Sequence, residues 1–210
     1  MDNSKFKYPR THHVPWSPGA TNDDKIIKDL SHFEGEEVVL TLKMDGENTT
    51  MMKPSMYASS LDNAVHPSQH VVKGTVWSVV KNAIPDRWRV CGENLYALHS
   101  IPYNDLDSFF QVFSVWNEQN NCISWDRTVE FCDQLNLVHV PVLWRGIYDE
   151  DFLRNIKLDL NKQEGWVLRL TREFSYDDFN KSVVKFVRES HIQTDEHWKN
   201  KPIVPNKLKK

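Results

Sequence analysis

The sequence is short of the features that most readily assign a protein to a class. No apolar run in its 210 residues approaches the roughly 20 that span a bilayer, and mean hydropathy is -0.58. The first residues, MDNSKFKYPRTHH, lack the apolar stretch of a secretory signal. These absences lead us to expect a soluble, cytoplasmic protein (host cytoplasm if viral) with no membrane partner. Cysteine is scarce. Cys91, Cys122 and Cys132 are odd in number and form no CxxC, which argues against a disulfide framework or zinc knuckle and for reduced packing residues. Charge of one sign is not in excess; the formal net charge is -3, so a nucleic-acid partner would need a local basic patch. The glycine fingerprints of P-loop and dinucleotide-binding folds are missing, and no Ser-His-Asp spacing stands out. His66 and His70 have a metal-binding helical spacing, but Pro67 between them disfavours a regular helix.

What is present is a series of strand signals, at 37–43, 50–58, 88–91, 109–116, 164–170 and 182–188. Helical spacing appears between them. A short amphipathic helix is predicted from Thr21 or Asn22 through Ile26, Ile27, Leu30 and Phe33, ended by Gly35. Others are predicted at 71–83, weakened by Gly74, at 126–136 after Ser124-Trp125, and at 152–156. Strands mixed with helices, without regular βαβ units, give an α+β fold. With no repeat and no linker, the simplest organisation is one domain over 1–198, of which 1–20 is a proline-punctuated arm, followed by a lysine-rich tail at 199–210 and acting as a monomer. The tail reads either as a solvated end or as a nucleic-acid-binding arm. Trp16, Trp88 and Trp198 are candidates for stacking on unpaired bases, and Arg10 and His12 are within reach of a phosphate if the arm packs.

One turn asks for chemistry. The alternating run Val38-Val39-Leu40-Thr41-Leu42-Lys43 delivers a lysine into Met44-Asp45-Gly46. Val39, Thr41 and Lys43 share one strand face; Val38, Leu40 and Leu42 share the other. A lysine is a nucleophile only when neutral, far from its reference pKa of about 10.4. Burial, a neighbouring cation or a metal ion lowers it. A lysine at a strand end is more often a solvated charge, and Asp-Gly more often a hairpin turn. The turn alone does not decide between these readings.

Further words downstream decide it. KMDG resembles the nucleotidyl-lysine motif of the covalent nucleotidyltransferases, the ATP-dependent ligases and mRNA-capping guanylyltransferases. RVCGENLYA, with Glu93, is similar to the family's third motif, whose acidic residue sits near the ribose. FFQVFSVWN is similar to the segment whose aromatic, here Phe113, stacks on the base. QEGWVLRL resembles the fourth motif, whose glutamate, here Glu164, helps to organise a divalent cation. SVVKFVRESH resembles the fifth, whose lysine, here Lys185, meets the α-phosphate. All five stand in order across most of the chain. KMDGEN has asparagine where DNA ligases and capping enzymes usually have arginine. With CGENLYALHSI and KFVRESHIQTDEHW, this is similar to compact phage and microbial RNA ligases related to the bacteriophage T4 editing-type enzyme. Too few residues follow motif five for the OB-fold that DNA ligases and capping enzymes carry.

The resemblance implies two antiparallel β-sheets with flanking helices around a nucleotide cleft. It implies ATP and Mg²⁺ (or Mn²⁺) as cofactors, and RNA ends bearing 5′-phosphate and 3′-OH as partners. Lys43 and Lys185 would be catalytic. Leu42, Lys43, Asp45, Gly46, Asn48, Glu93, Phe113, Glu164, Lys185 and Arg188 would bind the nucleotide, with Glu164 and Glu93 as metal ligands. Lys185 and a bound cation would both lower the Lys43 pKa. Three positions depart from the pattern. Leu42 stands where glutamate is common, Ser59 where an arginine is expected, and Val187 in the second basic place of motif five, with Arg188 following. These departures keep two alternatives open: a DNA or hybrid nick ligase or capping-type guanylyltransferase, and a non-sealing RNA-end binding protein.

Overall fold

The computed structural model describes residues 6–58, 66–159, 162–189 and 202–210. Ser59 and Trp198 lie outside the described residues. Twelve strands are described: β1 (His12–His13), β2 (Glu37–Lys43), β3 (Glu47–Met51), β4 (Met56–Ala58), β5 (Arg89–Asn94), β6 (Phe110–Trp116), β7 (Asn121–Cys122), β8 (Val138–His139), β9 (Val142–Ile147), β10 (Gly165–Leu170), β11 (Phe174–Ser175) and β12 (Val183–Val187). One sheet has the order β1-β12-β10-β2-β9; the other runs β11-β7-β6-β5-β3-β4, with β8 beside β6. Pairing is antiparallel except at β1–β12 and β6–β8. The fold is therefore α+β, as expected.

Most predicted strands form, and each has a local reason. In β2 and β10 the apolar runs are long because both faces are covered: Val38, Val39, Leu40, Trp166, Leu168 and Leu170 are all buried. The predicted strand at 50–58 is instead two, β3 and β4, joined by a turn around Pro54 in which Met52 N–H donates to Ser55 O. Pro54 cannot donate to a ladder, so the chain reverses there. β9 carries no clean alternation and was not foreseen; it pairs with β2 as an exposed edge.

The helix at Trp125–Leu135 forms with Ser124 as its cap, accepting from Arg127 N–H, and Asn136 ends it in the left-handed conformation at φ 53°. Glu150–Asn155 is capped by Asp149 and starts two residues earlier than the apolar pattern indicates. The predicted 71–83 helix forms over 69–80 as one continuous helical run, Gln69–Val72 and Ser78–Val80 flanking a π-helical turn at Lys73–Trp77.

The predicted helix after Thr21 does not form. Its Asp24 carboxylate accepts from Thr21 N–H and Oγ1–H, closing a local turn. His13 N–H then donates to Lys25 O and Ile27 N–H to His13 O, so Ile26 is drawn into a strand-like bridge. A short 3₁₀ turn at Ser31–Phe33 is what remains.

The described part of the tail is not a free end. Residues 202–210 lie along the loop after β5, with Pro205 bridged to Ala97, Leu208 to Leu106, and Asn206 5% exposed. All three cysteines are buried free thiols. No helix among the described residues is long and apolar enough to cross a membrane.

Candidate active site

The turn Met44-Asp45-Gly46 is not a hairpin. It carries the chain from β2 in one sheet to β3 in the other. Gly46 serves this crossing: a Cβ there would stand 2.5 Å from Asn94 O, so the backbone must run hard against β5. The Asp45 carboxylate is likewise internal, its Oδ2 accepting from Ser100 N–H at 2.7 Å and Ile101 N–H at 2.8 Å.

Between the sheets lies a cleft of about 790 Å³. Thr41, Leu42, Lys43 and Lys185 line it from one sheet, Asn48, Glu93 and Phe113 from the other, and Lys7 to Thr11 of the arm from the side. Lys43 ends β2 at its lining. Its Nζ lies 2.6 Å from Glu164 Oε2, the two side chains being 24% and 7% exposed. The pair is made by register, since Gly165 of β10 faces Lys43 across the ladder. Lys185 sits one strand further on, level with Val167 and Thr41, and its Nζ is 4.0 Å from Asp24 Oδ1.

Burial works to lower the Lys43 pKa, but the carboxylates of Glu164, Glu93 and Asp45 outweigh it and hold the ammonium above its ordinary value. Three carboxylates face one ammonium, and Lys185 alone does not offset them. Lys185 itself is lowered, by burial and then by the charge of Lys43. Burial raises the Glu93 carboxyl to about 8, against the pull of Lys43; Glu93 Oε1 also accepts from Gly46 N–H at 3.1 Å.

Asn48 faces Glu93 across β3–β5. Its Oδ1 is buried without a hydrogen-bond partner among the described residues, a polar atom left for something in the cleft. Phe113 is the extra residue of a β-bulge: Cys91 pairs with Ser114 and Gly92 with Val112. A bulge re-aims a side chain, and this one turns Phe113 into the cleft.

Arg188 is tied to the Glu164 strand through its backbone. Its backbone N–H donates to Glu164 O at 2.9 Å, but its side chain is buried, outside the cleft lining, with Nε unpartnered among the described residues. Val187 is buried too. Of the base-stacking candidates, Trp88 donates to Glu118 and stacks on Phe131, and Trp16 lies under Arg154.

Tyr8 and Arg169 are among the cleft residues that escaped the sequence reading. Tyr8 packs edge-on against Phe113 at 5.1 Å and Phe179 at 5.3 Å. The signal was an aromatic set between Lys7 and Arg10. Arg169, a charge inside an apolar strand, is 4% exposed. It donates to Ile123 O, Leu170 O and, at 3.4 Å, to Phe113 O, the carbonyl of the bulge.

Among the described residues no three His, Cys, Asp or Glu side chains converge as a metal site.

Solved structures of similar fold include an archaeal ATP-dependent RNA ligase, form 1, at 14% identity and TM-score 0.58, covering 91% of this chain and 51% of that one. A Naegleria gruberi RNA ligase variant with ATP and Mn aligns at 15% identity and TM-score 0.55, covering 89% and 59%. An Aquifex aeolicus protein assigned as an ATP-dependent DNA ligase aligns at 19% identity and TM-score 0.58, covering 89% and 50%. The chain spans about half to three-fifths of their length, and at these identities the likeness is one of fold. No curated protein sequence matches. The RNA ligase family model matches residues 36–187, from the start of β2 through the strand bearing Lys185; the chain belongs to the RNA ligase family.

Proposed function

We propose that the protein is an ATP-dependent RNA ligase that works through a lysyl-AMP intermediate on Lys43. The single observation that carries this reading is the placement of Lys43 in the inter-sheet cleft, 2.6 Å from Glu164, with Lys185 lining the cleft from the same sheet and Asn48 from the opposite one. Family membership supports a polynucleotide ligase, and the fold relative solved with ATP and Mn supports a nucleotide and a divalent cation.

In the first step the Lys43 ammonium gives up a proton, for which Glu164 Oε2 is within hydrogen-bond reach. The Nζ lone pair forms a bond to the α-phosphorus, and the bond to the pyrophosphate oxygen breaks. Lys185 stabilises charge on the phosphoryl oxygens, Phe113 supplies a ring for the base, and Asn48 Oδ1 an acceptor. Glu164 and Glu93 would hold a divalent cation, which when bound adds positive charge at the phosphates. AMP then passes to an RNA 5′-phosphate, and a 3′-OH attacks that adenylate and displaces AMP. The domain responsible is proposed to be residues 1–198, acting on RNA ends.

Incubation with α-labelled ATP and Mg²⁺ or Mn²⁺, followed by a denaturing gel, tests this. Wild type takes label and Lys43→Ala does not; label on Lys43→Ala rejects the nucleophile. Preference for GTP, or for DNA ends over RNA, would move the reading to a capping-type enzyme or a DNA ligase.

A second reading has its own observation. Val187 and the Arg188 side chain are both buried and outside the cleft lining, which supports a site with fewer phosphate contacts for the later steps. A protein that adenylylates itself or binds ends but seals poorly would take label, or bind 5′-phosphorylated RNA, without turning over. Multiple turnover in sealing excludes it.

A further inference from the structure

The Lys43 turn is held from behind by a segment distant in sequence. Asp45 N–H donates to Tyr103 Oη at 3.0 Å, while Ser100 and Ile101 hold the Asp45 carboxylate. The loop carrying these three residues has no strand of its own between β5 and β6, apart from isolated bridges. Residues 202–210 supply its second side. Leu98 N–H donates to Val204 O, Lys207 N–H to Tyr103 O, Leu106 N–H to Lys207 O and Lys209 N–H to Leu106 O.

At the centre is Asn206. Its Oδ1 accepts from Tyr103 N–H at 3.0 Å, its Nδ2 donates to Leu95 O at 2.8 Å, and its own N–H donates to Tyr96 O at 2.8 Å. An asparagine has one acceptor oxygen and two donor hydrogens, and here both sides of the amide are engaged while buried. Leu95 and Asn94 are also what Gly46 presses against. Asn206 therefore ties together the two supports of the turn, the β5 end under Gly46 and Tyr103 behind Asp45. Side-chain bonds at Asn206 and Tyr103, each aimed at backbone, specify that geometry.

We infer that residues 202–210 are a strap for the Lys43 turn, and that Asn206 and Tyr103 are positioning residues for the attack of Lys43 on the α-phosphate. The inference rests on the proposed role of Lys43. Neither residue lines the cleft, so each acts on where the amine stands and not on nucleotide affinity. Misplacement of a reacting group by about 1 Å costs up to roughly a hundredfold in rate; loss of one of several supports is expected to cost about tenfold.

The test uses the full chain as wild type, Asn206→Ala, Tyr103→Phe and the double variant, with α-labelled ATP and Mg²⁺ and thermal melts alongside. The label-transfer rate at saturating ATP falls about tenfold in each single variant, while the ATP KM moves less than about twofold. The double variant is no slower than the slower single one, because both cut the same connection. Tyr103→Phe keeps the ring and the fold, so its rate decides the matter even where Asn206→Ala melts early. Unchanged rates, losses that multiply in the double variant, or a loss confined to KM would overturn the strap. Wild type that takes no label overturns the lysyl-AMP reading along with it; labelled wild type with unaltered variants overturns the strap alone.

Discussion

At the residue scale the central fact is a lysine that is both candidate nucleophile and half of an ion pair. These roles are separable. Arginine keeps the positive charge opposite Glu164 and remains protonated at any working pH, but it is no nucleophile. Lys43→Arg is expected to fold with a stability within about 1 kcal/mol of wild type and to take no label from ATP. Lys43→Ala instead leaves the Glu164 carboxylate, 7% exposed, without its partner, so it loses label and stability together. Urea midpoints beside the labelling gel separate the two outcomes. A labelled Lys43→Arg protein would place the adduct on another residue.

At the element scale the crossing between sheets and the junction of β1 with β12 make the sharpest claims. Gly46→Ala sets a methyl 2.5 Å from Asn94 O. The turn has to shift, at a cost of about 1–3 kcal/mol, and label transfer falls with it; an unchanged denaturation midpoint would refute the close approach. His13 is buried between Ser17, 2.8 Å from Nδ1, and Asp24, 3.5 Å from Nε2. Burial, then the charge of Lys185, lowers its pKa from 6.5 to about 4, although Asp24 pulls the other way. The unfolded chain therefore binds the proton more readily than the fold does. The His13 contribution is complete above about pH 6.5 and is lost as pH falls towards 4. His13→Asn should flatten the rise of stability with pH across that window, as read by thermal melts at stepped pH. An equally steep rise in the variant would assign the proton to another group.

At the scale of the whole molecule, two sheets must be kept at the separation that forms the cleft. Arg169 reaches from β10 to Ile123 O and Phe113 O on the other sheet, packed against Phe174 and Trp125 at 5.2 and 5.6 Å. Arg169→Met fills similar volume but leaves these carbonyls unpaired. The expected loss is about 3 kcal/mol, with weaker ATP binding because the Phe113 bulge loses its tie; melts and nucleotide titration check both. The same substitution with unaltered stability would show that the sheets are held by apolar packing alone.

Much of this was legible in the sequence where neighbours along the chain decide the outcome. The apolar runs mark β2, β6, β10 and β12, the Ser124 cap marks the helix at Trp125–Leu135, and the KMDG turn marks the lysine. Lys43 and Glu164 were nameable one by one, but they are 121 residues apart, and only the β2–β10 register sets them face to face. The same dependence explains the differences. The helix after Thr21 lost to a long-range bridge between His13 and Ile26. Phe113 points into the cleft because of a bulge set by its partner strand. The Arg188 side chain is buried outside the lining of the cleft that Lys185 enters, and residues 202–210 of the lysine tail, read as a solvated end or a binding arm, lie against the loop that supports the Lys43 turn. Local propensity follows from residues a few positions away. Register, bulges and the balance of charges around one amine follow from segments that meet only when the chain has folded.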